Sequence, residues 1–399
     1  MRLKLLLPPV RPDVYDEPRG WPYEGCGGTR FKQHQEWPKP LRDTVLAEVS
    51  ARRYQCVRCE RTFRVYPTGV SKAHSSARLR GLSVLLYVLG LSYGAVALAL
   101  EALGHPLGKT SVYEAVQAAG EKVPGLRRDA VLLSPGKDQV AALGADLTSV
   151  KCKGQWLTVG VSVDVQEGIA LSVDLLDDAE AQTLKAWVGE VAKAVGAEVL
   201  VTDDADAFKP AADDNGLEQQ VCKSHVVRNT EEWVEQVKPE LARDADGSLQ
   251  AIRVTPEQAV ADCAELLRLL RQRARRPGDK ARGEAALEAI HRRYTEATPP
   301  KPAVDKKMTL AYRLRLFSLD RWQLWDRLTL YRSWRDKDGG TLDGTNNATE
   351  RAIGWWVKER YRTMRTYKRR QSVLNVSRLI AWAGSHLRNG GVSLATVVA

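Results

Sequence analysis

Between residues 139 and 204 the chain keeps strand periodicity through three segments, turns helical once, then returns to a short apolar run ending on acids. VAALGADLTSVKCKG, QWLTVGVSVDV and GIALSVDLL are rich in Val, Leu and Thr with glycines between them, as half-buried strands are. Residues 179–195 follow with Leu184, Trp187, Val188 and Val191 at helical spacing, and EVLVTDD (198–204) reads as a buried strand. Residues 218–222 form a further candidate strand and 226–241 a helix. This order predicts an α/β sheet that opens with a three-stranded meander.

The flanks read differently. Residues 1–70 are short-stranded and turn-rich, and RRYQCVRCERTFRVYP predicts a strand, a tight C-x-x-C turn and a second strand. Residues 75–125 read as helices: 77–89, then 93–103 capped by Ser92, then a helix starting at Thr110 or Ser111 after the breaker GHPLG. Helix, short Gly-containing turn, helix is the outline of a helix-turn-helix. Residues 81–100 carry no charge and are long enough to span a bilayer. Their glycines, serines and tyrosines favour two packed helices split near Gly90 and Ser92, so no membrane partner is expected. Residues 245–335 lose the strand pattern and predict a helical module, with Trp322, Trp325 and Trp334 spaced for a core. The alternative for these tryptophans is stacking on an unpaired base. GTLDGTNN is a turn cluster, and 348–388 reads as helix.

Sixty Lys and Arg against 49 Asp and Glu leave a net charge of +11, which argues for a polyanionic partner, nucleic acid before membrane surface. Six cysteines are too few for a disulfide scaffold, and the amino-terminal apolar run is too short for a secretory signal. A cytoplasmic protein is expected.

Three acids stand out. Asp146 interrupts the first strand, Asp203 ends the fourth, and Glu350 opens the last helix. A buried carboxylate without a partner costs several kcal/mol, and Mg²⁺ is a common partner at such positions. The alternative is solvated turn acids. Asp204 and Asp206 compete with Asp203, and strand alternation does not choose between 203 and 204. Glu350 also suits a helix N-terminus, where acids are common.

Taken in order, five segments resemble bacterial insertion-sequence transposases of the DDE class. ARRYQCVRCERTF is similar to the zinc-binding segment of one such group, GADLTSVKCKGQWLTVGVSVD to the first catalytic strand and its hairpin, and VLVTDDADAF to the second-acid strand. VCKSHVVRN resembles the C-x-x-H element that follows, and NNATERAIGWWVKERYRTMRTYKRR the third-acid helix with its basic tail. The resemblance implies an α/β protein with an RNase H-like catalytic core and a helical insertion. A small zinc-ribbon-like segment and a helix-turn-helix would precede that core. The expected parts are 1–70, 75–125, 139–241, the insertion 242–340, and 341–390 carrying the third acid. It implies that Asp146, Asp203 and Glu350 hold two Mg²⁺ or Mn²⁺ ions. The 146 residues between the last two acids match an inserted domain. The implied activity is cleavage of an element's terminal inverted repeats and joining of the 3′-OH to target DNA, by a homodimer or larger assembly on double-stranded DNA. The alternatives are an inactive DNA-binding descendant and an RNase H-like nuclease.

Further residues follow. Cys56 and Cys59 at C-x-x-C spacing suggest a zinc knuckle, with Cys26 the one cysteine left of the family's second pair. Tyr23 stands where its partner is sought, and His34 is a fourth-ligand candidate at unusual spacing; the alternative is a metal-free hairpin. Cys222 and His225 read either as a buried thiol and capping imidazole or, by the resemblance, as an element beside the active site. His225 and Arg228 would then reach a phosphate from a helix N-terminus. Residues 350–370 carry eight Lys or Arg against two Glu, and Lys358, Arg362 and Arg365 share a helical face suited to DNA phosphates. The alternative is a solvated basic helix. In the helix-turn-helix, Lys109, Thr110, Ser111 and Tyr113 are expected to reach bases or phosphates, with Arg78 and Arg80 on the backbone. A structural helical hairpin is the alternative there.

Overall fold

A computed structural model describes residues 5–123, 139–272, 278–300, 307–364, 366–389 and 392–398. Near the amino terminus, β1 (Phe31–Pro40), β2 (Glu48–Cys56) and β3 (Thr62–Val65) form an antiparallel sheet. The C-x-x-C turn joins the last two strands. The Glu60 N–H donates to Cys56 O and the Cys56 N–H to Arg61 O, with Glu60 itself in the left-handed region.

Helix α1 (Ala77–Val88) starts where Ser76 Oγ accepts the Leu79 N–H, and α2 (Tyr93–Ala102) starts where Ser92 Oγ accepts the Ala95 N–H. Gly90, at φ +116°, makes the turn between them, so the uncharged run is divided as expected. Among the described residues no helix is long and apolar enough to cross a membrane. Helix α3 (Lys109–Glu121) begins just after Gly108, slightly earlier than the expected Thr110 or Ser111. Each helix turns an apolar side inward, while Leu98 stays exposed. Leu79, Val84, Tyr87, Val96, Val112 and Val116 share one core with Val161 of the central sheet and Val376 near the carboxyl terminus.

The central sheet follows from the period change. β4 (Ala142–Cys152), β5 (Gln155–Asp164) and β6 (Ile169–Leu176) make the antiparallel meander. Helix α4 (Ala181–Val195) ends at left-handed Gly196 and returns the chain to β7 (Val199–Thr202), parallel to β4. After α5 (Phe208–Asp213), β8 (Glu218–Val221) adds in parallel to β7, giving the order β8-β7-β4-β5-β6. One face packs Leu143, Ala145, Leu171 and Leu200 against Leu184, Trp187, Val188 and Val191 of α4. The other face meets the carboxyl-terminal helices. Cover on both sides explains why the β7 sequence is apolar without alternation.

Helix α6 (Lys223–Leu241) leaves the sheet for a second core, built with α7 (Pro256–Arg271), α8 (Asp279–Arg293) and α9 (Leu310–Gln323). Trp325 is buried there and donates Nε1–H to Lys280 O, while Trp334 packs under Ala142, Val199 and Val201. Arg321 ties this helical unit to the sheet, with Nη1 3.5 Å from Asp204 and Nε donating to Thr230 Oγ1 at 3.0 Å.

The stretch expected as one helix over 348–388 is broken. It comprises α10 (Asn347–Ile353), a π-helical turn Gly354–Lys358, α11 (Glu359–Met364) and α12 (Arg370–Asn389). The break has a cause. Buried Tyr367 leaves the helix to pair with the β4–β5 hairpin, its N–H donating to Lys151 O at 2.9 Å while its carbonyl accepts the Lys153 N–H at 3.0 Å.

Candidate active site

Parallel pairing of β7 with β4 sets Val201 beside Gly144, and two residues further along the same register bring Asp203 to Asp146. Helix α10 crosses the same strand. Asn346 Nδ2 donates to Ala145 O at 3.3 Å, and fully buried Thr349 lies against Gly144, where any Cβ would run into its Oγ1. Glycine in the middle of a strand usually weakens it, and close backbone approach is the physical reason to keep one. That approach delivers Glu350, the next residue, to the mouth of the two acids.

The electrostatics agree with the geometry. Burial, then the Asp203 charge, push the Asp146 pKa up to about 7, and Glu350 adds to the effect. The Leu147 N–H, donating to Asp146 Oδ1 at 2.7 Å, and the Lys358 ammonium pull the other way without cancelling it. Asp203 and Glu350 both lie within charge reach of Asp146, and carboxylate oxygens are the hard donors that suit Mg²⁺ or Mn²⁺.

The neighbouring acids sort themselves by partner. Asp203 Oδ1 accepts the Ala205 N–H at 3.1 Å and stays within charge reach of Asp146. Asp204 turns toward Arg321, and burial raises its pKa. Asp206 is exposed and pairs with Lys209 at 2.8 Å.

His225 Nδ1 stands 3.5 Å from Glu350 Oε1, and Lys358 and Arg362 are exposed nearby in sequence, with Arg362 3.8 Å from Glu359. Arg365 lies outside the described residues. A groove of about 840 Å³ runs beside α6, lined by Lys223, Arg228, Arg271, Tyr331, Arg335 and Thr345 among others. Sequence reading missed Arg271 and Arg335, which come from the helical unit and the loop after it. No local spacing joins them to residue 228.

At α3, Lys109, Thr110 and Ser111 are exposed, but Tyr113 is half-buried, its hydroxyl 3.2 Å from Ser372 Oγ and its ring edge-on to Tyr93. Arg78 and Arg80 are also drawn inward. Arg78 lies 3.6 Å from buried Asp43 and donates to Val10 O, while Arg80 donates to Ser75 O. Both arginines thus make contacts within the protein.

The thiols of Cys26, Cys56 and Cys59 converge, with all three sulfurs within 4.8 Å of one another. Burial opposes the Cys59 thiolate, but the Arg61 backbone N–H, the Cys26 thiol and further hydrogen bonds from Arg61 and Cys56 bring its pKa down to about 7. Thiolate sulfurs gathered in this way fit a zinc ion. Among the described residues His34 does not join the cluster.

No protein-family profile and no curated protein sequence matches the chain. Among solved structures, it is similar to the Drosophila P element transposase strand transfer complex, at 10% sequence identity and a TM-score of 0.41, over 79% of this chain and 94% of that one.

Proposed function

We propose that the protein is a DDE transposase: a metal-dependent enzyme that cuts the ends of a mobile DNA element and joins them to target DNA. The observation that carries this reading is that Asp203 and Glu350, from an adjacent parallel strand and a helix, lie within charge reach of buried Asp146 and raise its pKa. The sheet order supports an RNase H-like core, since the first strand lies central between an antiparallel meander and two parallel strands. The helices between β8 and α10 form the insertion, which carries the expected separation of the second and third acids.

Asp146, Asp203 and Glu350 would hold two Mg²⁺ or Mn²⁺ ions, which when bound supply an activated water and stabilise charge on the leaving oxygen. The protein's own groups do the rest. Asp146 lies within β4 and Asp203 just past the end of β7, and the close contact of Gly144 with Thr349 brings the helix carrying Glu350 against β4. Lys358 places a positive charge beside the acids, where a phosphate enters. Arg228, Arg271 and Arg335 make the adjoining groove suited to the phosphates of a DNA strand. Lys109, Thr110 and Ser111 of α3 would contact the terminal repeat, and Cys26, Cys56 and Cys59 would hold a structural zinc. Hydrolysis frees a 3′-OH, and that hydroxyl attacks a target phosphodiester. One P–O bond forms as another breaks, so no Ser or Tyr nucleophile is needed.

The test uses linear DNA carrying the gene's own flanks, with Mg²⁺, and compares wild type with Glu350→Gln. A cut at one reproducible position, leaving a 3′-OH and absent in the variant, is expected. Binding without cutting in the wild type would overturn the enzymatic reading and leave a DNA-binding protein.

A further inference from the structure

Glu350 has a second set of neighbours. The Cys222 sulfur, a His225 ring nitrogen and a Glu350 carboxylate oxygen all lie within 4.8 Å of one another. Cys222 is fully buried at the N-cap of α6, and backbone N–H groups of Asn346, His225 and Ser224 point at its sulfur. His225 Nδ1 is buried without a hydrogen-bond partner, since Glu350 Oε1 at 3.5 Å is too far for a good one. A thiol, an imidazole nitrogen with no hydrogen bond, and a carboxylate share one small space. That is a sulfur–nitrogen–oxygen donor set, unlike the all-oxygen set of Asp146 and Asp203.

We infer that Cys222, His225 and Glu350 form a separate site for a thiophilic divalent ion, Zn²⁺ in biological chemistry. Hard Mg²⁺ gains nothing from sulfur, whereas Zn²⁺ accepts Cys, His and carboxylate together and leaves a fourth position open. The two sites share Glu350. An ion on the sulfur side draws that carboxylate away from the strand acids, so zinc acts as a brake on the Mg²⁺-dependent reaction. This last step rests on the transposase reading; the metal site itself does not. Binding releases the Cys222 thiol proton to solvent, and no redox change is involved.

The probe is ¹¹³Cd²⁺ added alone to the full-length protein and read by NMR. The amino-terminal cluster offers three sulfurs and the site at Glu350 offers one, so their resonances fall apart, the one-sulfur site at the more shielded position. Two resonances are expected. Cys222→Ser should abolish the shielded one and leave the other, which also reports that the variant is folded. His225→Gln should do the same without touching a thiol. A wild type that shows no shielded resonance, or a shielded resonance that survives both substitutions, overturns the proposal. A Cys222-dependent resonance in a protein that never cuts DNA would instead fault the transposase reading. Cutting in Mg²⁺ with no such resonance would fault the zinc site alone.

Discussion

Asp146→Asn should stabilise the metal-free protein above neutral pH, an uncommon effect for a change at a buried, hydrogen-bonded position. The carboxyl pKa is pushed up to about 7 by burial and by the charges of Asp203 and Glu350, against about 3.9 in an unfolded chain. Below about pH 4 both states hold the proton, and the group costs nothing. Between about pH 4 and 7 the unfolded chain releases the proton while the folded one keeps it, so stability falls as pH rises. Above that window the cost is constant, at most about 4 kcal/mol. Asn keeps an oxygen for the Leu147 N–H and carries no charge. Allowing for local relaxation, we expect a gain of about 2–3 kcal/mol at pH 8, or roughly 5–10 °C in the melting of the core. The assay is thermal melting of wild type and variant in EDTA at pH 8 and pH 4.5. The gap should shrink to about a quarter at the lower pH, and Mg²⁺ at pH 8 should raise the wild-type melting point far more than the variant's. A variant no more stable than wild type at pH 8, or a gap equal at both pH values, refutes the reasoning.

Further expectations test separate parts of the architecture. Gly144→Ala should drive Thr349 and α10 away from β4, costing about 1–3 kcal/mol in a melt and reducing Mg²⁺-dependent cleavage more than DNA binding. Arg321→Met leaves the Asp204 carboxylate buried without its cation and should destabilise by about 3 kcal/mol, with Asp204→Asn added in the same chain recovering much of the loss on thermal melting. Cys59→Ser should lower bound zinc by one ion per chain on elemental analysis, and retention of that ion would dismiss the three-sulfur site. Arg228→Ala and Arg335→Ala should each weaken DNA binding alike across sequences and reduce the slope of log K against log salt by about 1, measured by fluorescence anisotropy.

What could be read in the chain and what could not divide along the distance over which the controlling forces act. Strands β4, β5 and β6 were legible because Val, Leu and Thr gather in each with glycines at the turns between, and α4 because Leu184, Trp187, Val188 and Val191 lie on one face. The split of the uncharged run at Gly90 was legible because the Ser92 cap is two residues away. The position of Glu350 beside Asp146 was not legible from spacing, since 203 residues separate them; it came only through resemblance. Gly144 carried a signal that went unused. A glycine two positions before an acid, inside a strand of β-forming residues, needs something to press against it, and Thr349 is that partner. The break at Tyr367 had no local sign at all, because its cause is a hydrogen-bonding partner on the β4–β5 hairpin. Asp203 and Asp204 differ for the same reason. They are chemically identical and adjacent, and only a distant arginine, Arg321, takes one of them while the strand register offers the other to Asp146. That division carries a consequence for Asp204→Asn alone. If Asp204 serves only to dock the helical unit, the variant should change the melting point and leave the metal requirement of cleavage untouched, whereas Asp203→Asn should abolish cleavage and, by removing a charge that faces Asp146, raise the metal-free melting point above neutral pH.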